Sequence, residues 1–209
     1  MDCTIGWIKT KEGCILFKNR DTKKEYLKDN LFQKTKQLVK IGYKSGRKGC
    51  WIGVNKYGVG LTSAKGPYRN IPEGYSSWLK FNEIGEKVLK KAKDVEDALN
   101  LFVKDYKKQK IGETANILLC DKNKAYLLEF CLENIRIKSY FRFVFRTNHF
   151  ELTKKFNQNF KSLNISVKRL EKFKELFNKY KPKNTEDLIS LLTYHSKTKK
   201  RIFVDMEKL

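Results

Sequence analysis

Apolar and polar positions alternate with a period of two over most of the first third of the chain, which predicts β-strands. The predicted strands are residues 4–9, 14–19, 32–43, 50–54 and 59–64, with a looser alternation in the third. The first two flank a turn at residues 11–13, and the last two flank residues 55–58, where Asn and Gly favour a tight turn. We therefore expect two hairpins in this region.

Further along the chain the apolar spacing changes to three or four residues, which is typical of amphipathic helices. One predicted helix carries apolar residues from Trp78 to Leu89, and a second follows Asp94, a favourable N-cap residue. Ser166 and Asn184 are predicted to cap two further helices near the end of the chain. The remaining predicted strands are residues 115–120, 125–131, 134–138, 141–147 and 201–206.

This order of elements predicts the layers of the fold. Strands, two helices, strands, two helices and a final strand are most simply assembled as two packed antiparallel sheets between two helical layers. That is a four-layer αββα sandwich of the α+β class, and a two-layer α+β fold is the alternative that the pattern leaves open. The sequence has no internal repeat and no low-complexity linker, so residues 1–209 are expected to form a single domain.

The chain is strongly basic, with 46 Lys and Arg against 23 Asp and Glu and a formal net charge of +23. The cations are spread along every segment, and no known nucleic-acid-binding pattern accompanies them. A lysine-rich solvated surface explains this composition, and it predicts only nonspecific adsorption to nucleic acid at low salt. A basic binding module for nucleic acid or an acidic partner is the alternative.

The cysteines and histidines predict neither a disulfide framework nor a metal site. The five cysteines are odd in number and form no C-x-x-C, and only His149 and His195 accompany them, so no metal or cofactor is expected. Four of them lie in apolar runs as predicted buried thiols, and only Cys3 stands apart by its position. No apolar run reaches the about 18 residues that span a membrane, and no secretory signal pattern is present, so a cytoplasmic location is expected.

Cys3 is the leading candidate for a nucleophile. A thiol is readily activated, and if Cys3 became the first residue its own α-amine, with an ordinary pKa near 8, would lie within reach of its sulfur. One residue would then supply both nucleophile and base. The plain alternative is a small buried cysteine on a strand.

Three other residues support the catalytic interpretation of Cys3. Arg20 and Asp21 end the strand that is predicted to pair with the Cys3 strand, so Asp21 could hold the α-amine and Arg20 could favour the thiolate. Asn148 follows a later predicted strand, and its side-chain NH₂ is suited to an oxyanion hole. Each also has a simpler explanation, a surface ion pair for Arg20 and Asp21 and a turn for Asn148.

With these residues in place, the sequence resembles the acyl-coenzyme A:6-aminopenicillanic-acid acyltransferase-like family of N-terminal nucleophile (Ntn) hydrolases, which are related to choloylglycine hydrolases and acid ceramidase. The matching features occur in the same order along nearly the whole chain. They are Cys3-Thr4, Asn19-Arg20-Asp21, the Gly-Val-Asn-Lys-Tyr-Gly-Val run at 53–59, Thr147-Asn148-His149-Phe150 and the helix start at 166–170.

The resemblance implies an αββα Ntn fold and a reaction at a C–N amide bond other than a peptide bond. It implies that Cys3 is the nucleophile, that Asp21 holds the α-amine and that Asn148 serves the oxyanion. The position of Arg20 varies among relatives, which leaves its role less defined. For the arginine that the family carries late in the chain, Arg169 and Arg201 are both candidates, and the last strand is shorter than in relatives.

The position of Cys3 also predicts a maturation step. Removal of Met1 would expose Asp2, so we expect Cys3 to attack the Asp2 carbonyl and release Met1-Asp2 by self-cleavage. The expected function is an amidohydrolase for a small acyl amide acting through a thioester. An acyltransferase with an amine or thiol acceptor is an alternative, as is a degenerate member that keeps only the fold. Tyr57 and Tyr68 are predicted substrate-binding residues, and the oligomeric state stays open.

Overall fold

The structure is a computed structural model that describes residues 2–11, 13–21, 30–43, 49–67, 73–75, 78–158, 162–195 and 202–205. For some of these, including Arg20 and Asp21, the description covers the backbone but not the side chain. Within the described residues the chain forms two antiparallel sheets and two pairs of α-helices.

The larger sheet has seven strands that are neighbours in both sequence and space. They are β3 (Asn30–Lys34), β4 (Leu38–Tyr43), β5 (Cys50–Asn55), β6 (Gly60–Lys65), β7 (Ala115–Cys120), β8 (Ala125–Cys131) and β9 (Asn134–Tyr140). The smaller sheet contains β1 (Asp2–Lys9), β2 (Cys14–Asp21), β10 (Phe143–Arg146) and β11 (Ile202–Asp205), in the order β10-β1-β2-β11.

One pair of helices packs on the outer face of each sheet. The helices are α1 (Trp78–Lys91), α2 (Val95–Gln109), α3 (Leu163–Tyr180) and α4 (Thr185–His195), with a short 3₁₀ turn at Lys154–Asn157. The Asp94 side chain accepts a hydrogen bond from the Asp97 amide at the start of α2, and Asn184 accepts one from the Asp187 amide at the start of α4. The N-caps predicted at Asp94 and Asn184 are therefore confirmed.

Three apolar layers hold the sheets and helices together. One lies between α1, α2 and the larger sheet, one between the two sheets, and one between the smaller sheet, α3 and α4. Alternate residues of a strand serve different layers, as with Ile117 on the helical side and Leu118 on the inner side of β7. The chain therefore has the predicted four-layer αββα arrangement.

The β1 strand lies in the middle of the smaller sheet, paired with β2 on one side and β10 on the other. Gly6 lets the rings of Phe17 and Phe145 lie directly over β1, because a Cβ at this position would fall 2.4 Å from Phe17 and 2.7 Å from Phe145. Ile5 and Trp7 point into the layer between the sheets, where both are fully buried. The β1 strand is thus fixed within the core of the molecule.

The structure corrects two details of the predicted elements. Residues 32–43 do not form one strand, because a turn at residues 35–37 separates β3 from β4; the Thr35 side chain accepts a hydrogen bond from the Leu38 amide there. Ser166 does not cap α3, which begins at Leu163 with Ser162 as the N-cap residue. In the described part of the chain, no helix is both long and apolar enough to cross a membrane.

Candidate active site

Cys3 lies near the start of β1, at the inner face of the smaller sheet. Its side chain is 3% exposed and belongs to the apolar layer between the sheets. On one side β2 pairs with β1 past Cys3, while on the other β10 ends at Arg146 opposite Ile5, so the segment that follows β10 lies beside Cys3. The predicted nucleophile is therefore in a fixed and nearly water-free position.

Asn148 contacts the backbone of Cys3 directly. The Cys3 amide nitrogen donates a hydrogen bond to Asn148 Oδ1 at 2.8 Å, and Asn148 Nδ2 donates one to the Lys65 carbonyl at 2.8 Å. Lys65 ends β6 of the larger sheet, so the Asn148 side chain joins the two sheets beside Cys3. The predicted contact between Asn148 and the start of β1 is therefore present in the structure.

An arginine of α3 approaches Cys3 from the other end of its backbone. Arg169 Nη1 donates a hydrogen bond to the Cys3 carbonyl oxygen at 3.3 Å. Of the two arginines left open by the sequence, Arg169 is therefore at Cys3, and Arg201 lies outside the described residues.

The pairing of β1 with β2 places Arg20 and Asp21 next to Cys3 along the backbone. The register sets Cys3 opposite Arg20 and Asp2 opposite Asp21. The predicted hairpin thus returns the Asn19-Arg20-Asp21 segment to the start of β1. The side chains of Arg20 and Asp21 lie outside the description, so their roles remain proposals.

The two tyrosines predicted to bind substrate are not brought to Cys3 by the described structure. Tyr57 is 52% exposed in the turn between β5 and β6, at the opposite end of β6 from Lys65. Five residues of extended strand make this separation roughly 16 Å. Tyr68 lies outside the described residues.

A buried cation, which the sequence analysis did not single out, joins the two sheets close to the site. Lys18 of β2 pairs with Ile5, two residues beyond Cys3, and it is only 3% exposed. Its ammonium group donates a hydrogen bond to the Ser63 carbonyl of β6 in the facing sheet. This contact adds a second polar link between the sheets to that of Asn148.

The loop that carries Asn148 also contains a buried imidazole. His149 Nδ1 lies 3.0 Å from both Thr147 Oγ1 and Ser166 Oγ. Burial is the main cause that lowers the pKa of His149 to about 4. A neutral ring whose Nδ1 accepts a hydrogen bond fits these two hydroxyl neighbours.

Sequence analysis missed the residues that support this loop, because they come from distant elements. Asn116 of β7 and Ser166 of α3 both hydrogen-bond to the loop at residues 147–149. For Ser166 the sequence had two signals, a polar residue interpreted as an N-cap and a place in the 166–170 segment that matches the family. For Asn116 it had none. In the described residues no group of three His, Cys, Asp or Glu is placed to hold a metal ion.

Two packed antiparallel sheets between helical layers are the architecture of Ntn hydrolases, the class that contains the family matched by this chain. The chain belongs to the acyl-coenzyme A:6-aminopenicillanic acid acyl-transferase family, whose sequence profile matches residues 8–206. The matched region contains Asp21, Asn148 and Arg169, and it begins five residues after Cys3.

Solved structures have the same fold at low sequence identity. An N-acylethanolamine-hydrolyzing acid amidase ortholog from Caenorhabditis elegans is 12% identical, with a TM-score of 0.60 over 91% of this chain and 86% of that one. Penicillin V acylase from Agrobacterium tumefaciens is 12% identical, with a TM-score of 0.49 over 92% and 70%.

A mutant of the conjugated bile acid hydrolase from Clostridium perfringens is 14% identical, with a TM-score of 0.48 over 72% of this chain and 54% of that one. A search of curated proteins finds no significant match.

Proposed function

We propose that the protein is an N-terminal-cysteine amidohydrolase that cleaves the C–N amide bond of a small N-acyl substrate through a thioester. The observation that carries the proposal is the pair of polar contacts on the Cys3 backbone, from Asn148 at its nitrogen and Arg169 at its carbonyl. A merely structural cysteine needs neither a buried carboxamide nor a guanidinium at its backbone.

The first step of the proposed mechanism frees the Cys3 nitrogen. The Cys3 sulfur attacks the Asp2 carbonyl carbon, and the Asp2–Cys3 C–N bond breaks as the acyl group moves from nitrogen to sulfur. Water then opens this thioester, which releases Met1-Asp2 with a free carboxyl group and leaves Cys3 with a free α-amine. Asn148 Oδ1 already accepts from the Cys3 nitrogen, so it can hold that amine in place afterwards.

In turnover the α-amine takes the thiol proton as the sulfur attacks the substrate carbonyl. Asn148 Nδ2 has two hydrogens, and since one goes to the Lys65 carbonyl, the other can donate to the oxyanion. The amine product leaves with the proton, and water hydrolyses the thioester to a carboxylic acid. In this scheme Asp21 orients the α-amine, Arg20 favours the thiolate, and Arg169 fixes the Cys3 carbonyl.

Intact-mass measurement of the purified protein tests the proposal. The wild-type chain should lack Met1 and Asp2, and Cys3→Ala should retain both. A screen of N-acyl amides, penicillins and bile-salt-like conjugates should then find thiol-dependent hydrolysis in the wild type only. Retention of Met1-Asp2 in the wild type, together with no hydrolysis of any of these compounds, would falsify the proposal.

Acyl transfer is the second candidate, because the family whose profile matches is named for a transferase. Both reactions share the acyl-enzyme and differ in whether water or an amine or thiol accepts the acyl group. With a hydrolysed substrate in hand, adding 6-aminopenicillanic acid or a small thiol should divert product to the acylated acceptor if the enzyme is a transferase. Undiminished release of free acid would support hydrolysis.

A further inference from the structure

We infer that Asn116 and Ser166 are positioning residues that hold Asn148 in place for the reaction, an inference that rests on the proposed function. The two side chains contact the backbone on both sides of Asn148, from opposite layers of the sandwich. We call this pair the Asn148 clamp. Neither residue touches Cys3 in the described contacts, so their effect is exerted through Asn148.

The first half of the clamp comes from the larger sheet. Asn116, which is fully buried on β7, donates from Nδ2 to the Thr147 carbonyl at 2.8 Å and to the His149 carbonyl at 2.9 Å. Both hydrogens of one NH₂ group are thus used on the two residues that flank Asn148. This fixes the backbone from which the Asn148 side chain projects.

The second half comes from helix α3. Ser166 Oγ, which is also fully buried, accepts hydrogen bonds from the Asn148 amide at 3.0 Å and from the His149 amide at 3.1 Å. Thr147 Oγ1 donates in turn to the Ser166 carbonyl at 3.0 Å. Carbonyls of the loop are therefore held by β7 and its amides by α3, which leaves little freedom for rotation about Asn148.

Such restraint matters because the Asn148 side chain has two tasks that require accurate placement. Oδ1 meets the Cys3 nitrogen and Nδ2 the Lys65 carbonyl, so a shift of the loop disturbs both contacts together. A misplacement of about 1 Å in a reacting group can cost about 100-fold in rate. Loss of the Asn116 NH₂ would also leave two carbonyls without a donor in a buried site, and the loop would move to satisfy them.

The fold provides a matched control for Asn116 in Asn55. Asn55 Nδ2 donates to two backbone carbonyls in the same way, to Leu89 at 2.9 Å and to Ala92 at 2.7 Å, but it does so at the end of helix α1. It is buried as Asn116 is, and it lies at the end of β5 next to the Tyr57 turn, away from Cys3. Asn55→Leu and Asn116→Leu thus both remove a pair of donors to backbone carbonyls. Asn55→Leu also removes the acceptor of the Tyr57 and Val59 amides, so it is the more disruptive change to the fold.

The experiment compares these two variants in the hydrolysis of an N-acyl amide of 7-amino-4-methylcoumarin and in the release of Met1-Asp2. Asn116→Leu should lower kcat by about 10- to 100-fold with KM changed less than about 3-fold, as expected for loss of transition-state stabilisation. Asn55→Leu should lower the melting temperature but keep kcat of the folded protein within about 2-fold. Ser166→Ala, which removes one oxygen atom, should reproduce the kcat loss of Asn116→Leu.

A double-mutant cycle shows whether Asn116 acts through Asn148. In the Asn148→Ala background, Asn116→Leu should cost less than about 2-fold, because the group that it positions is gone. Equal losses in both backgrounds would overturn the inference, and so would an unchanged kcat in Asn116→Leu. A purely structural Asn116 would instead lower thermal stability in both backgrounds without the selective kcat loss.

Hydrogen exchange separates failure of the clamp from failure of the proposed function. The peptide covering residues 146–151 should exchange at least about tenfold faster in Asn116→Leu than in wild type, and at the wild-type rate in Asn55→Leu. If the wild type neither matures nor hydrolyses any amide, the function fails, and exchange alone then decides whether the clamp exists. Unchanged exchange in Asn116→Leu would overturn the clamp itself.

Discussion

At the scale of single residues, the orientation of Cys3 is set through its backbone. Its nitrogen and carbonyl oxygen are held by Asn148 and Arg169, while its side chain lies among apolar neighbours between the sheets. Polar contacts hold the main chain of Cys3, whereas its thiol has no strong polar partner among the contacts described. This arrangement suits a group that must itself form a bond.

The buried imidazole beside Asn148 predicts a loss of stability in mild acid. Burial lowers the pKa of His149 from 6.5 to about 4 in the folded chain, so between these values the unfolded state binds the additional proton. Stability is therefore complete above about pH 6.5 and falls as the pH drops towards 4. From pH 7.5 to pH 5 the free energy of unfolding should fall by about 2 kcal/mol on account of this group, as urea titrations would measure.

Two variants isolate this contribution. His149→Gln removes the titrating group, so its free energy of unfolding should change about 2 kcal/mol less than that of the wild type between the two pH values. His195→Gln removes the other histidine and should keep the wild-type difference. The charged groups that also face the ring are Glu151, Arg146, Lys174 and Arg169. An identical pH dependence in His149→Gln and wild type would contradict the assignment.

The sequence indicated residues suited to the proposed chemistry, but it could not indicate those that would hold them in position. Cys3 was recognisable because a thiol near the start of a strand is a candidate nucleophile. Asn148 was recognisable because its side-chain NH₂ after a strand is a candidate oxyanion donor. The choice between Arg169 and Arg201 needed the packing of α3 against β1. Asn116 is one of many asparagines, and nothing local marks it, since its partners Thr147 and His149 lie 31 and 33 residues away.

At the scale of elements, the segment after Asn148 is held by one buried carboxylate. Glu129 of β8, which is fully buried, accepts hydrogen bonds from the amides of Glu151, Leu152 and Thr153 at 2.7 to 3.0 Å and from the Thr153 hydroxyl at 2.9 Å. All four groups are donors, so they match a side chain that only accepts. This contact attaches the segment at residues 151–153 to the larger sheet.

Glu129→Gln should therefore lower the free energy of unfolding by about 2 kcal/mol or more, because its NH₂ would face a buried donor and leave it unpaired. Equilibrium urea unfolding measures the change. Glu133→Gln is the control: Glu133 accepts from the Tyr75 hydroxyl at the exposed surface, so its loss should stay within about 0.5 kcal/mol. Equal changes in the free energy of unfolding would show that the buried contacts of Glu129 stabilise the fold no more than the exposed contact of Glu133.

Element boundaries followed the sequence pattern where local chemistry decides them. Asp94 and Asn184 begin helices as predicted, since an N-cap depends on residues within one turn. The start of α3 was misplaced because Ser162 and Ser166 are chemically equivalent candidates four residues apart. The break between β3 and β4 depends on a turn at Thr35 with no Gly or Pro to mark it.

At the scale of the whole molecule, the net charge of +23 predicts binding to polyanions without sequence preference. Single-stranded RNA should bind in low salt and lose about 50-fold in affinity between 50 and 200 mM salt if about four phosphates are neutralised. Cys3→Ala should bind equally well, as fluorescence anisotropy would show. Salt-resistant binding that depends on RNA sequence would instead support the basic binding module.

The layers of the fold were predictable from the order of elements, but the strand order was not. Seven strands of the larger sheet are neighbours in sequence, which hairpin patterns suggest. The smaller sheet places β10 beside β1 and β11 beside β2, and these pairings join segments that lie far apart in the sequence. No local sequence signal predicts these two pairings, because each forms only when distant strands come together on the same apolar layer.

The contacts that β1 makes with distant segments determine when the site can form during synthesis. Cys3 is separated from Asn148 by 145 residues and from Arg169 by 166. The ribosome therefore synthesises Cys3 long before the two residues that contact its backbone. A nascent chain that stops before α3 holds the cysteine but cannot complete the contacts at its backbone. Under the proposed function, activity therefore requires synthesis at least as far as α3, and shorter nascent chains carry the thiol without a completed site.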